Sequence, residues 1–242
     1  MAKSTTIDPA EIQKFSALAA EWWNPNGPFG ALHRMNPIRL RYIRERALRH
    51  FGTNGVRPLK GLRALDLGCG GGLVSVPLAR MGAEVAGADA SEDAIGAARA
   101  YAGEAGLDIT YECTTSDQLA ANGAQFDLVV ALEIIEHVAD VNAFLADAVA
   151  LVKPGGLLVL STINRTAKAR ALAIVGAERI LKWAPEGAHD YDKLVTPEEI
   201  RAATPELNWD EPQGIVYNPL GQGWSLSRDT DVNYLISAAK PR

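Results

Sequence analysis

The chain has 242 residues, of which 48% are hydrophobic and 22% are charged, and its formal net charge at pH 7 is −5. This size and composition predict a globular protein with a large core, organised as one domain or as a domain with additions, and the acidic balance argues against a nucleic-acid partner. Cys69 and Cys113 have neither the spacing of a metal site nor that of a disulfide framework, and without a recognisable secretory signal or membrane-spanning segment we expect a cytoplasmic protein.

The first predicted element is an N-terminal helix. Residues 8–11 form a capping-box pattern with proline in the first helical position, and apolar residues recur at helical spacing as far as Trp22 and Trp23. The two tryptophans either line an apolar substrate cavity or lie at a lipid interface. A loop rich in asparagine, glycine and proline follows, and then a basic helix that ends near His50. We predict that residues 1–55 form an N-terminal helical cap.

Strands and helices then alternate through residues 56–242, which we predict to be the main domain, with an insertion at about 166–195. Strands are expected near 62–67, 84–88, 108–112, 126–131, 157–162, 214–217 and 232–239, and helices near 73–81, 92–105 and 141–150. This alternation predicts an α/β fold with a Rossmann-like, doubly wound and mostly parallel seven-stranded sheet. Such a sheet binds ligands at the carboxyl ends of its strands, where the strand order reverses.

A glycine-rich turn after the first strand is the strongest sign of a ligand site. Residues 66–72 are DLGCGGG; glycine lets a ligand approach the main chain, and the N–H groups that open the next helix favour a polar or anionic group. The third glycine of a dinucleotide-binding fingerprint would stand where the chain has Leu73, so the turn indicates another nucleotide. Asp89 ends the second strand about 20 residues further on, where a carboxylate suits a ribose diol.

A second polar group follows the fourth strand. Glu133, Glu136 and His137 have the i, i+3 and i+4 spacing that places three side chains on one face of a helical turn. One interpretation is a Mg²⁺ site that holds both oxygens of a catechol and lowers the pKa of the phenol. A second is that His137 is a general base oriented by a glutamate. A third is a hydrogen-bonded helix start without chemistry.

The pattern of residues 66–72 resembles the first motif of class I S-adenosylmethionine (SAM) methyltransferases. Further segments resemble the ubiquinone biosynthesis O-methyltransferases, namely residues 32–39 (LHRMNPIR), 133–137 (EIIEH), 161–165 (STINR), 187–190 (GAHD) and 231–234 (DVNY). The resemblance implies that SAM is the cofactor and that six residues lie against it. These are Arg39 at its carboxylate, Asp66 near its ammonium, Gly68 and Gly70 beside its methionine part, Asp89 at its ribose hydroxyls and Leu132 on its adenine.

The same resemblance implies the substrates. Members of this family O-methylate hydroxyl groups of a polyprenylated catechol and of a late demethylubiquinol. His189 either adds a metal ligand or a base, or is a loop histidine without such a role. Three alternatives stay open: a methyltransferase acting on a soluble catechol or other small molecule, a metal-dependent RNA methyltransferase, and a SAM-binding protein without enzymatic activity.

Residues 167–183 form an apolar segment with basic residues at both ends. Its composition suits a helix lying in the interface of an anionic membrane, and the other interpretation is a lid over the active site. Because a polyprenyl substrate resides in the bilayer, we expect peripheral contact with the inner face of the cytoplasmic membrane.

Overall fold

The structure is a computed structural model that describes residues 6–172, 190–218 and 223–242. In this part of the chain one sheet contains nine strands. They are Arg63–Leu67 (β1), Glu84–Asp89 (β2), Ile109–Cys113 (β3), Phe126–Leu132 (β4), Val152–Ile163 (β5), Asn208–Trp209 (β6), Gln213–Asn218 (β7), Gly223–Ser227 (β8) and Asn233–Ala239 (β9). The α-helices are Pro9–Ser16 (α1), Gly30–Phe51 (α2), Ser75–Arg80 (α3), Glu92–Glu104 (α4), Ser116–Ala121 (α5), Val141–Leu151 (α6), Ala167–Ala169 (α7) and Pro197–Ala203 (α8).

The order of the strands across the sheet is β3-β2-β1-β4-β5-β9-β7-β8, with β6 paired to β9. Strands β1 to β5 are parallel, and β9 is antiparallel to β5. The order reverses between β1 and β4, so the loops that follow these two strands diverge around a crevice. The glycine turn follows β1 and Glu133 follows β4. The predicted α/β, doubly wound and mostly parallel sheet is confirmed, and both polar groups of the sequence lie at its switch point.

The sheet nevertheless has two strands more than the seven that we predicted. Strand β6 is only two residues long, which is too short for a periodic side-chain pattern to reveal it. Strand β8 contains a glycine and two serines among its five residues, a composition typical of a turn. It pairs with β7 in an antiparallel hairpin, with Trp224 opposite Tyr217. Main-chain pairing to a neighbouring strand, rather than local pattern, creates both additional strands.

Helices cover both faces of the sheet and bury a core on each. On one face, Tyr42 and Ile43 of α2 and Leu78 of α3 are buried in a single cluster with the sheet. On the other face, Leu145 of α6 and Ile200 of α8 belong to a second cluster. Burial on both sides explains why the parallel strands are nearly continuous apolar runs. Helix α2, from the predicted cap, thus shares a core with the sheet.

The N-terminal segment packs over the crevice. The predicted helix is confirmed as α1, and its N-cap residue Asp8 accepts a hydrogen bond from the backbone N–H of Ala10 at 3.0 Å. The helix ends at Ser16, and a 3₁₀ helix at Ala19–Glu21 leads into the tryptophan pair. The ring of Trp23 stacks on that of Tyr101, with centroids 3.3 Å apart.

The structure describes only part of the predicted insertion. Residues 167–172 are helical, whereas residues 173–189, which include His189, lie outside the described residues. None of the helices within the described ranges is long and apolar enough to cross a membrane.

Candidate active site

The turn between β1 and α3 brings bare main chain to the crevice. Gly68, Gly70 and Gly72 have φ values of 73°, 52° and 87°, in the left-handed region that other residues resist. The backbone N–H of Gly68 donates to the carbonyl of Ala88 at 2.8 Å, which ties the turn to the end of β2. A Cβ atom on Gly70 would collide with the ring of Trp22. This turn therefore requires glycine both for its backbone conformation and for space.

Asp89 closes β2 beside this turn. Its two carboxylate oxygens accept hydrogen bonds from the backbone N–H groups of Gly70, at 2.8 Å, and Ser91, at 2.9 Å. Burial raises the pKa of Asp89, and the two N–H donors oppose that rise. The nearby main chain thus holds this carboxylate in place before any ligand arrives.

Asp66 lies within β1, directly beneath the turn. Its carboxylate accepts a hydrogen bond from the hydroxyl of Ser75 in α3, and the residue is only 2% exposed. Burial raises the pKa of Asp66 to about 6, although the Ser75 hydrogen bond opposes the rise. A carboxyl group with this pKa is ready to respond to a cation placed beside it.

Arg39 and Glu133 connect α2 to the end of β4. The carboxylate of Glu133 accepts hydrogen bonds from Nη1 of Arg39 and, at 2.6 Å, from the hydroxyl of Ser161. Outside glycine, Glu133 is the one residue in the described ranges with a positive φ, at 49°. Such backbone strain persists where the surrounding contacts enforce it, as they often do at functional sites. Nη2 of Arg39 donates to Asn36 at 3.0 Å, and its Nε has no partner among the described residues.

Two adjoining cavities occupy the crevice. The larger, of about 710 Å³, is lined by Arg39, Asp66 and Leu132, and most of its wall is apolar. The smaller, of about 120 Å³, is lined by Gly70 and Asp89. The residues that line both cavities are Phe15, Trp22, Gly68, Glu133 and His137. The predicted cofactor residues therefore meet two members of the second polar group at one site, although they are distant along the chain.

The predicted metal site is not formed in the described part of the chain, where no three His, Cys, Asp or Glu side chains are arranged to hold an ion. The left-handed φ of Glu133 interrupts the regular helix on which the i, i+3, i+4 prediction depended, and only Ile135–His137 form a 3₁₀ turn. Glu133 and His137 line the cavities, whereas Glu136 lines neither. The further candidate ligand, His189, lies outside the described residues.

One residue of the site was not predicted. Glu11 of α1 places Oε2 2.9 Å from Nδ1 of His137, and this hydrogen bond lowers the pKa of the Glu11 carboxyl. The sequence suggested that Glu11 completes the capping box of α1, but its side chain reaches across the crevice instead. The two residues are 126 positions apart. No local pattern contains this contact, because it exists only when α1 docks on the loop after β4.

Comparisons with known proteins agree with this geometry. Residues 65–160 match the family model described as a methyltransferase domain. The solved structure of magnesium protoporphyrin IX methyltransferase from Synechocystis, with bound SAM, is similar in fold: the TM-score is 0.63 at 18% identity, over 98% of this chain and 100% of that chain. The fold and the switch-point site together define a class I SAM-dependent methyltransferase.

Close relatives narrow this class. The chain is 53% identical to the ubiquinone biosynthesis O-methyltransferase of Brucella anthropi over 241 residues, covering 98% of this chain and 97% of the relative. It is 52% identical to the protein of the same name from Parvibaculum lavamentivorans over 245 residues, covering 100% and 97%. This chain belongs to the ubiquinone biosynthesis O-methyltransferase family, as the sequence motifs predicted.

Proposed function

We propose that this protein transfers a methyl group from SAM to a phenolic oxygen of polyprenylated catechol and demethylubiquinol intermediates of ubiquinone biosynthesis. Membership of the family supports this function. The single observation that carries it is the pair of joined cavities: Asp89 lines the smaller one, Arg39 lines the larger one, and Glu133 and His137 line both. A cofactor and an acceptor can therefore meet within one site.

In this proposal the cofactor lies along the carboxyl ends of β1, β2 and β4. The Asp89 carboxylate binds the ribose hydroxyls. The guanidinium of Arg39 binds the carboxylate of the cofactor, and its Nε has no partner among the described residues. Asp66 faces the ammonium, a cation that favours the ionised form of this buried carboxyl. Leu132 packs on the adenine. When bound, SAM supplies an electrophilic methyl group and leaves as S-adenosylhomocysteine.

The acceptor shares the larger cavity with part of the cofactor, because Arg39 and Asp66 also line that cavity. Its volume of about 710 Å³ falls within the range of small-molecule sites, roughly 300–1,000 Å³. Phe29, Met35, Ile215 and Trp224 contribute apolar wall, which suits a prenyl chain because burial of apolar surface is worth about 25 cal/mol per Å². The shape and chemistry of the wall thus favour a lipidic phenol over a small polar one.

His137 accepts the phenolic proton in the proposed reaction. A phenol has a pKa near 10 and is neutral at pH 7, so its oxygen becomes an effective nucleophile only as the proton leaves. A positioned general base contributes about 10²- to 10⁴-fold to such a step. The O–CH₃ bond then forms as the S–CH₃ bond breaks, and the rest of catalysis is the alignment of the two reactants.

This proposal assigns no step to a divalent cation, and no three of the described carboxylates and imidazoles are arranged to hold one. Methyl transfer from SAM to a catechol, measured in the presence of EDTA, separates the two ways of forming the phenolate: proton transfer to His137 and binding to a divalent cation. Activity that survives EDTA supports His137 as the base. Activity lost in EDTA and restored by Mg²⁺ would contradict it and would indicate that Glu133, Glu136, His137 and His189 assemble around an ion during turnover.

We also propose peripheral contact with an anionic membrane at the mouth of the larger cavity. Leu172 and Tyr217 line this cavity yet are 55% and 43% exposed, and Lys168 also lines it. Leu172→Ser should weaken flotation with anionic liposomes. Val56→Ser is the matched control, since Val56 is 92% exposed but lies in neither cavity wall. Equal flotation of the two variants would contradict a membrane role for this mouth.

The decisive experiment is incubation with SAM and a short-chain prenyl catechol, with methyl transfer followed by mass spectrometry. We expect methylation of the prenyl catechol with a higher kcat/KM than that of the same catechol without the chain. A preference for the chain-free catechol would favour a soluble substrate. Binding of SAM without transfer to any catechol would favour a SAM-binding protein without this activity.

A further inference from the structure

The contact between Glu11 and His137 has chemical consequences for the imidazole. Nδ1 of His137 and Oε2 of Glu11 are 2.9 Å apart, and their side chains are only 10% and 21% exposed. A glutamate is ionised near pH 7 and then offers acceptors without a proton. The hydrogen of this bond must therefore reside on Nδ1. In the neutral ring, Nε2 is left as the nitrogen with a lone pair.

A second contact from the same helix holds the ring. Phe15 lies four residues after Glu11, on the same face of α1, and its ring meets that of His137 edge to face with centroids 5.0 Å apart. One hydrogen bond and one aromatic contact together restrict both the rotation and the tautomer of the imidazole. His137 lines both cavities, so its orientation decides which nitrogen an acceptor molecule can meet.

We infer that Glu11 is a positioning residue for the methyl transfer: it holds His137 in the Nδ1–H tautomer so that Nε2 accepts the phenolic proton. This inference rests on the proposed function, because it assigns a role in that reaction. Helix α1 is then part of the active site and not merely a cover over it. Metal-ligating and catalytic histidines in general depend on such a partner for their orientation.

The competing explanation is that Glu11 only docks α1 on the rest of the protein. The chain offers a matched control, because Lys193 anchors the same helix through an ion pair of 2.9 Å with Asp8. Lys193→Ala removes that anchor and leaves the contact between Glu11 and His137 intact. A pure docking role predicts similar effects for Lys193→Ala and Glu11→Gln, whereas a positioning role predicts an effect for Glu11→Gln alone.

Steady-state kinetics on the prenyl catechol give the first test. Glu11→Gln and Glu11→Ala should lower kcat by about 10- to 100-fold, the range typical of lost support for a functional histidine. The acceptor KM and the SAM Kd should stay within about threefold of wild type, and Glu11→Asp should recover part of kcat. Wild-type kcat in Glu11→Gln, or an equal loss in Lys193→Ala, would overturn the inference.

The tautomer of His137 gives a second test that needs neither turnover nor a Glu11 variant. In ¹⁵N–¹H correlation spectra of the wild-type protein, with the signals assigned by comparison with His137→Gln, we expect the neutral ring to carry its hydrogen on Nδ1. A ring protonated on Nε2 alone would refute the inference. This test also distinguishes the two failures: an Nδ1–H tautomer in a protein that methylates no catechol refutes the proposed function, while an Nε2–H tautomer in an active enzyme refutes only the role of Glu11.

Discussion

The two sides of the crevice are assembled in different ways. On the cofactor side the hydrogen-bonded residues are close in sequence. Asp89 is 2 positions from Ser91 and 19 positions from Gly70, and Asp66 is 9 positions from Ser75. On the acceptor side the pairs are distant.

Glu133 is 94 positions from Arg39, and His137 is 126 from Glu11. A short segment can therefore preform the part of the cofactor side around Asp66 and Asp89, whereas the position of Arg39 and the acceptor side are fixed only after α1, α2 and β4 have packed together. Variants on the two sides should consequently affect different measured quantities.

The largest expected effect comes from a substitution on the acceptor side, which should change kcat and leave the binding of SAM unchanged. His137→Ala should lower kcat for methyl transfer by about 10²- to 10⁴-fold, because it removes the proposed general base. The Kd of SAM, measured by calorimetry, should stay near the wild-type value.

His50→Ala is a suitable control for this variant, since His50 bonds to the carbonyl of Gly155 and lies in neither cavity wall. A parallel loss of SAM affinity in His137→Ala would mean that the two sides are not separable in function.

The next effect is on the cofactor side. Asp89→Ala should raise the Kd of SAM about 10²-fold, since two hydrogen bonds to a charged group, each worth about 1.5 kcal/mol, are lost. Calorimetry at constant pH measures the change. Asp108→Ala provides a control carboxylate next to the opposite end of β3, away from the crevice. Unchanged SAM affinity in Asp89→Ala would refute the ribose assignment.

A third test concerns the buried carboxyl beneath the turn. The folded-state pKa of Asp66, about 6, lies above its ordinary value of 3.8, so the folded protein holds this proton more tightly than the unfolded chain does. Its contribution to stability is therefore most favourable below pH 4 and declines as the pH rises to 6.

Asp66→Asn removes this decline. The difference in unfolding free energy, variant minus wild type, should increase by about 2 kcal/mol between pH 4 and pH 7. Urea unfolding of both proteins at the two pH values measures it. A difference that does not change with pH would show that Asp66 titrates normally in the folded protein.

The smallest expected effect is on the unfolding free energy, and it tests whether a contact between near neighbours in sequence stabilises the cofactor side. The hydroxyl of Ser91 caps α4 by accepting from the backbone N–H of Ala94 at 3.2 Å. Ser91→Ala should lower the unfolding free energy by about 1 kcal/mol, while Ser91→Asn should retain most of the stability because asparagine also caps helices. Equal stabilities of the two variants in urea unfolding would indicate that the cap contributes little here.

Most of the fold was predictable because its signals are local. The apolar runs, the N-terminal cap of α1 and the glycine turn each depend on a few neighbouring residues, and the helices and strands that they predict are present. Strands β6 and β8 were missed because pairing with other strands, and not their own composition, makes them strands.

The candidate site divides in the same way. Asp89 and the glycines were predictable from spacing, and the structure brings them to one cavity. The arrangement of Glu133, Glu136 and His137 was not, because the left-handed backbone at Glu133 breaks the helical periodicity on which the prediction depended. The contact of Arg39 with Glu133 and that of Glu11 with His137 left no trace in the local sequence.

The sequence by itself determined the class of fold, the nucleotide-binding turn and the family, since each is encoded in short segments whose backbone conformation and spacing depend on neighbouring residues. Only the tertiary structure decided which partners the acidic and histidine side chains take. Those partners come from α1, α2 and β5, and packing of the two cores against the sheet is what carries them to the same crevice.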